Sequence, residues 1–274
     1  MIVVAAATGQ YGRIVMDRLL ERAPAEQLAV AIRDPAKADD LAARGVDVRH
    51  ADYDDPESLA AAFRDTDRLL FISSPLIDQG RTRLVQHRNV VAAARVAGVG
   101  MVAYTSGLGA DMIDENVPIL GDHHVTEKVI QESQLPSVML RHPLYTELFI
   151  NSYLRSAIES GELTSNTRGR GMNTANRGDL AEAAAVILTS TDPLNAYHFT
   201  GRLWTYPELA GALADVSGRP VAYRDVDEDE GAIGMMGIAP FAQSGAFELQ
   251  TADLEAVLGH PAASLHDAVA VALS

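Results

Sequence analysis

The chain has no cysteine, which excludes disulfides, thiolate nucleophiles, iron–sulfur clusters and cysteine-ligated zinc together. Lysine is almost missing. Of 22 basic residues only Lys37 and Lys128 are lysines, the rest being arginine, and 37 acids outnumber them to give a net charge of −15. A nucleic-acid surface needs clustered cations to neutralise phosphates, so no nucleic-acid partner is expected. No apolar run approaches the roughly 20 residues that span a bilayer, and no membrane role is expected. Met1–Val4 enters an apolar segment with no basic leader and the chain meets glycine at residue 9, from which a cytoplasmic location is expected. Internal repeats and low-complexity tracts are also missing. What remains is a chain of 274 residues, 47% apolar, long enough for one large or two modest domains.

The first half alternates two kinds of segment. Short β-branched or apolar runs stand at Ile2–Ala6, Leu28–Ile32, Val46–Val48, Arg68–Ile72, Met101–Thr105 and Ser137–Leu140. Between them lie helical patterns carrying Ile14, Leu19 and Leu20, then Leu41, then Leu59 and Phe63, then Val85, Val90, Val91 and Val96. Strands alternating with helices predict βαβ units and a doubly wound parallel α/β sheet, a Rossmann-type fold. After about residue 141 the alternation loosens. Helices are expected near Asn151–Glu159, Gly178–Thr189, Pro207–Ser217 and Asp253–Leu258, with strand-like runs at Tyr197–Thr200 and Val221–Arg224. The expectation is a dinucleotide-binding domain over 1–141 and a smaller C-terminal α/β substrate lobe over 142–274, without a linker between them. Asp225–Glu230, five acids in six positions, reads as a solvated segment.

The first strand runs into Ala6-Ala7-Thr8-Gly9-Gln10-Tyr11-Gly12 and then a helix. A glycine-rich turn there lets backbone N–H groups approach a pyrophosphate at the positive end of the helix, although Ala6 occupies the first position of the G-x-x-G-x-x-G pattern. At the end of the second strand an acid would bind the ribose 2′-OH of NAD. Here Arg33 falls at that place, followed by Asp34. A guanidinium suits a 2′-phosphate, so NADPH is favoured, while Asp34 argues for NAD.

Several separated motifs, in order, resemble the NmrA-like branch of the atypical short-chain dehydrogenases and, within it, the bacterial NADPH:quinone oxidoreductases. They are Ala-Thr-Gly-Gln-Tyr-Gly at 7–12, Arg-Asp-Pro-Ala-Lys at 33–37, Ala-Asp-Tyr-Asp-Asp at 51–55 and Phe-Ile-Ser-Ser at 71–74, followed by Gln-His-Arg-Asn-Val at 86–90, Tyr-Thr-Ser at 104–106, Thr-Glu-Lys at 126–128 and Gly-His-Pro at 259–261. The resemblance implies that Ala6, Thr8, Gly9, Gln10, Tyr11 and Gly12 hold the pyrophosphate and Arg33 the 2′-phosphate. It implies that Asp52 and Tyr53 border the adenine, that Ser73, Ser74 and Pro75 lie at the ligand-binding edge of the sheet, and that Arg141, His142, Pro143 and Tyr145 close over the nicotinamide side.

Short-chain dehydrogenases commonly place Tyr four residues before Lys; here His124 takes that place before Lys128. Spacing of four puts the two on one helical face. The catalytic candidates are therefore Lys128, His124, the Tyr145 hydroxyl and Ser106, the last in the place of a substrate-orienting serine. Lys128 also counts among the cofactor-binding residues. Adjacent His123 and His124 diverge by about 100° on a helix, so no metal site is expected. Two functions follow: an NADPH-dependent reductase passing hydride to a quinone-like acceptor near Tyr145, Phe149 and Gly231–Phe241, or a non-catalytic NAD(P)-binding redox sensor. The partner expected is a small molecule, with the chain a monomer or homodimer.

Overall fold

The computed structural model describes residues 1–76, 82–113, 115–117, 120–227 and 238–274. The first strand, β1 (Ile2–Ala5), leads into helix α1 (Gln10–Leu20), in which Tyr11, Val15 and Leu19 recur at a spacing of four and are all buried. Then come β2 (Leu28–Ile32), the short helix α2 (Asp39–Ala43), β3 (Asp47–His50) and α3 (Pro56–Ala62). The start of α3 is fixed by Asp55, which accepts from the N–H groups of Glu57 and Ser58, with Pro56 at the first helical position. Strand β4 (Arg68–Phe71), α4 (Thr82–Val96), β5 (Met101–Gly107), α5 (Leu120–Glu132) and β6 (Ser137–His142) complete the alternation.

These strands form one sheet in the order β3-β2-β1-β4-β5-β6, and the strand Ala196–His198 adds a seventh beside β6. Every pairing is parallel. Side chains alternate between the faces, so Val3, Ala5, Leu69, Phe71, Val102 and Tyr104 join one buried cluster with Leu59, Val90, Ala94 and Ile130 from α3, α4 and α5 and with Phe63 just after α3. On α1, Tyr11 donates to the Leu180 carbonyl and Arg18 pairs with Glu182 of the helix Arg177–Thr189. Arg68, at the start of β4, donates to the carbonyls of Ile187, Leu188 and Ser190, satisfying the end of that helix.

Two compact units result, and the division is not the single cut expected near 141. The first holds Met1–His142 together with Leu180–His198; the second holds Pro143–Asp179 and Phe199–Ser274. The physical reason is burial. Leu180, Ala181, Ala184, Ala185 and Leu188 are fully covered, and Ala196–His198 extends the sheet by pairing with β6. The expected third strand, Val46–Val48, lies one to two residues later, at Asp47–His50.

The second unit carries two small sheets. One orders Leu203–Trp204, Met172–Ala175 and Leu144–Tyr145; the other pairs Ala222–Asp225 with Glu162–Ser165. Its core gathers Phe149, Leu154, Trp204, Leu209 and Leu213, and Trp204 Nε1 donates to Thr174 Oγ1 at 2.9 Å. The helix Tyr206–Ser217 opens with a reciprocal capping box between Thr205 and Glu208, and Leu265–Leu273 with one between Ser264 and Asp267. Most of the expected Gly231–Phe241 pocket wall lies outside the described residues; Ala239–Gln243 forms a short helix.

Candidate functional site

The strand order reverses direction between β1 and β4, and in open parallel sheets the crevice outside the carboxyl ends at such a point receives ligands. The turn after β1 is built there. Ala6 donates to the Ala31 carbonyl at 2.9 Å and accepts from Gly9 N–H at 3.3 Å, closing the turn with Ala6 at φ +57°. That is left-handed backbone, which glycine adopts freely and alanine does not. Ala6 therefore keeps the shape a glycine would give, at some conformational cost.

The two glycines of the turn do different work. At Gly12 an added Cβ would stand 2.7 Å from Ala7 Cα, so the helix can approach the strand only if this position has no side chain. At Gly9 the backbone is extended (φ −73°, ψ 164°), and an added Cβ would meet nothing nearer than the Ala6 carbonyl at 3.8 Å. The chain's own packing does not require glycine there. No side chain caps α1 and no acid lies in its first turn, so the positive end of the helix stays open to an anion.

Arg33 follows β2 and is exposed, with no ion pair or hydrogen bond among the described residues. Asp34 lies 3.8 Å from Lys37 Nζ. Arg13 is engaged elsewhere, on the Asp40 carboxylate and the Lys37 carbonyl. Asp52 and Tyr53 lie after β3. The Tyr53 ring is buried, its hydroxyl donating to the Ile72 carbonyl at 2.9 Å, and burial raises its pKa above the ordinary tyrosine value.

After β4, Ser73 N–H donates to Thr105 Oγ1, Ser74 N–H donates to His87 Nε2, and Pro75 is exposed. Thr8 is half-buried, and Gln10 opens α1 on the surface.

At the ends of β5 and β6 the structure brings Ser106 and Arg141 together through a residue absent from the sequence candidates, Glu127. Its buried carboxylate accepts from Ser106 Oγ at 2.5 Å, Arg141 Nε at 3.0 Å and Arg141 Nη2 at 2.7 Å. Arg141 Nη1 reaches Asp111 at 2.8 Å and His198 at 2.7 Å. The only proton of Ser106 is thus directed at Glu127, and the Arg141 guanidinium has carboxylates on both edges. The signal for Glu127 was its place in the Thr-Glu-Lys motif at 126–128, beside Lys128.

His142 is buried, edge-on to the Tyr11 ring at 5.3 Å, and burial lowers its pKa to about 3. His124 is half-buried with Nδ1 donating to the Ala110 carbonyl at 2.8 Å, whereas Lys128 is exposed. His123 is the buried member of the pair, between Tyr104 and Arg83, its pKa held well below the usual value by burial. Pro143 and Tyr145 belong to the second unit. The Tyr145 phenol is pushed up to about 12 by burial, and the Arg177 guanidinium stands 4.5 Å from its ring centre.

Among the described residues, no helix is long and apolar enough to cross a membrane.

Comparison with known proteins places this geometry. The profile of the NAD(P)H-binding family matches residues 6–191. Quinone oxidoreductase 2 of Escherichia coli (strain K12) is 35% identical, over 98% of this chain and 97% of its own length. An NmrA-like family domain-containing oxidoreductase of Aspergillus flavus is 32% identical, over 83% of this chain and 75% of its own. The crystal structure of Citrobacter sp. triphenylmethane reductase complexed with NADP(H) superposes with a TM-score of 0.90 at 37% identity, covering 99% of this chain and 100% of that one. The glycine turn after β1, the parallel sheet and these matches agree: the chain belongs to the NAD(P)H-binding family, among its NmrA-like oxidoreductases.

Proposed function

We propose that the chain is an NADPH-dependent reductase that passes hydride to a small, electron-poor acceptor, with quinones as the acceptor class. One observation carries the reading: an open phosphate turn at the uncapped start of α1 stands on the same sheet edge as Arg33, whose guanidinium has no partner among the described residues. A 2′-phosphate suits that guanidinium by charge and bidentate geometry. Asp34, the residue that would favour the 2′-hydroxyl of NAD, faces Lys37. The relatives' names, a quinone oxidoreductase and a dye reductase complexed with NADP(H), support the same class of chemistry.

Bound NADPH supplies the hydride. The chain's own groups bind and orient: N–H groups of the first turn of α1 hold the pyrophosphate, and Arg33 holds the 2′-phosphate. A reduced quinone can be protonated from water, so the missing tyrosine before Lys128 does not block the reaction. Lys128 brings positive charge toward the developing oxyanion. Ser106 Oγ donates a hydrogen bond to Glu127 and acts by fixing the end of β5 against α5.

Oxidation of NADPH and NADH with a panel of quinones, run beside direct binding of each dinucleotide, tests the reading. NADPH-dependent turnover is expected, and Lys128→Met should lower kcat at least about tenfold, or roughly 1.4 kcal/mol of transition-state stabilisation. Tight NADPH binding with no acceptor reduced would transfer support to the redox-sensor reading.

A further inference from the structure

Three polar residues of α4, Gln86, His87 and Asn89, are buried or half-buried on a helix that otherwise packs Val90, Val91 and Ala94 against the sheet. Their partners lie in two separate loops and, for His87, also in α5. Gln86 Nε2 donates to the Asp54 carboxylate at 2.9 Å, while its Oε1 accepts from Ser74 Oγ at 2.6 Å. A carboxylate can only accept, so the amide orientation is fixed by its partners. Asn89 Nδ2 donates to the Tyr53 carbonyl at 2.9 Å. His87 Nε2 accepts the Ser74 N–H at 3.0 Å, which places its proton on Nδ1, and Nδ1 donates to Thr126 Oγ1 at 2.8 Å. Thr126 Oγ1 in turn donates a hydrogen bond to the Asp122 carbonyl at 2.7 Å, anchoring the chain of bonds in α5.

The loops so gripped are those after β3 and β4. In the sheet, β2 and β1 stand between them, so their ends are about 14 Å apart at the usual strand spacing and no ladder hydrogen bond couples them directly. Besides α4, the Tyr53 hydroxyl spans the gap to the Ile72 carbonyl. Burial lowers the His87 pKa to about 3, so near neutral pH the ring keeps the acceptor that Ser74 N–H needs.

We propose that Gln86, His87 and Asn89 form a clamp that sets the spacing of these two loops, and are positioning residues for the adenosine half of the dinucleotide; this rests on the NADPH reading above. The clamp explains why polar side chains interrupt the apolar face of α4 at these places. It acts through Tyr53, Asp54 and Ser74, not by touching the reacting atoms.

The test compares His87→Leu, which removes the acceptor, with His87→Gln, whose carbonyl can still receive the Ser74 N–H. Two readouts are taken: amide hydrogen exchange of the loops at 52–54 and 72–74 without ligand, and dissociation constants for NADPH and for 2′,5′-ADP, which carries the adenosine half alone. His87→Leu should speed exchange in both loops while leaving β1 and β5 unchanged. It should weaken NADPH and 2′,5′-ADP alike by about tenfold, because the loosened loops must then be ordered when either ligand binds. His87→Gln should restore both within about threefold. A His87→Leu protein that binds both ligands as tightly as the unmutated one overturns the proposal, even if it melts earlier. Failure of the unmutated protein to bind NADPH would strike the cofactor reading instead, and unchanged loop exchange in His87→Leu would by itself dismiss the clamp.

Discussion

Replacing Ala6 by glycine should leave the protein as stable as before or more so, against the usual effect of putting glycine into a folded segment. Ala6 sits at φ +57°, where an L-residue is disfavoured by roughly 1–2 kcal/mol. Glycine removes that strain but loses about 0.5–1 kcal/mol more backbone freedom on folding. The half-buried methyl contributes at most a few tenths of the ~0.8 kcal/mol of a fully buried carbon. Both hydrogen bonds of the turn, to Ala31 O and from Gly9 N–H, use backbone atoms and survive the change. The balance lies between neutral and about 1 kcal/mol of stabilisation, or up to roughly 2–4 °C in Tm for a chain of this size. Ala7→Gly is the control, because Ala7 is fully buried and its backbone is not left-handed; it should lose about 1 kcal/mol or more. Urea unfolding of the three proteins side by side measures the difference. If Ala6→Gly loses as much as Ala7→Gly, the turn is not strained at Ala6 and the reasoning fails. The same variant also removes a methyl from the phosphate turn, so NADPH should bind at least as tightly.

The glycines of that turn should separate fold from ligand. Gly12→Ala drives a methyl into Ala7 and should destabilise by about 1–3 kcal/mol, whereas Gly9→Ala should keep the circular dichroism and melting of the parent while losing NADPH affinity at least about tenfold. Arg33→Ala should weaken NADPH by about tenfold or more and leave NADH nearly unchanged in parallel titrations; equal losses would place the 2′-phosphate elsewhere. Acid should destabilise the fold through its buried histidines. His87 and His142 titrate at about 3 when folded and near 6.5 when unfolded, so the unfolded chain binds protons first as pH falls. Their stabilisation is full above about pH 6.5 and declines by up to ~1.4 kcal/mol per pH unit per histidine down to about 3. Urea titrations from pH 7 to 4 should show the decline, with a shallower slope in His87→Gln, and an unchanged slope in that variant would contradict the assignment.

The parallel sheet was legible because strands such as β1 and β2 are apolar on both faces and the helices between strands repeat at the right spacing. Leu28–Ile32 reads as a strand and is one, with every residue buried. The second unit was less legible. Its strands at Glu162–Ser165 and Met172–Ala175 are four residues each and half polar, too short for periodicity to declare them. The helix Arg177–Thr189 was foreseen, but alanines covering it on most sides give no direction, so its return to the first unit could not be read. The phosphate turn and Arg33 were visible as local patterns. The motifs at 86–90 and 126–128 contain His87 and Glu127 but not their roles, because those lie in partners 13 and 14 residues away in sequence, Ser74 and Arg141, which only the fold brings into contact.

The late return of Leu180–His198 to the sheet has a bearing on how the chain is made. A ribosome that has released only the first 142 residues has exposed every strand but the last, and β6 then stands as an open edge. Five of its six residues are buried in the finished fold. A half-apolar strand with unpaired N–H and C=O groups is a template for wrong pairing with another chain. The nucleotide-binding half therefore cannot close until residue 198 has emerged, after some of the second unit's residues have already been synthesised. Its fold is completed from behind, and a fragment ending at residue 142 is missing a piece of its own sheet.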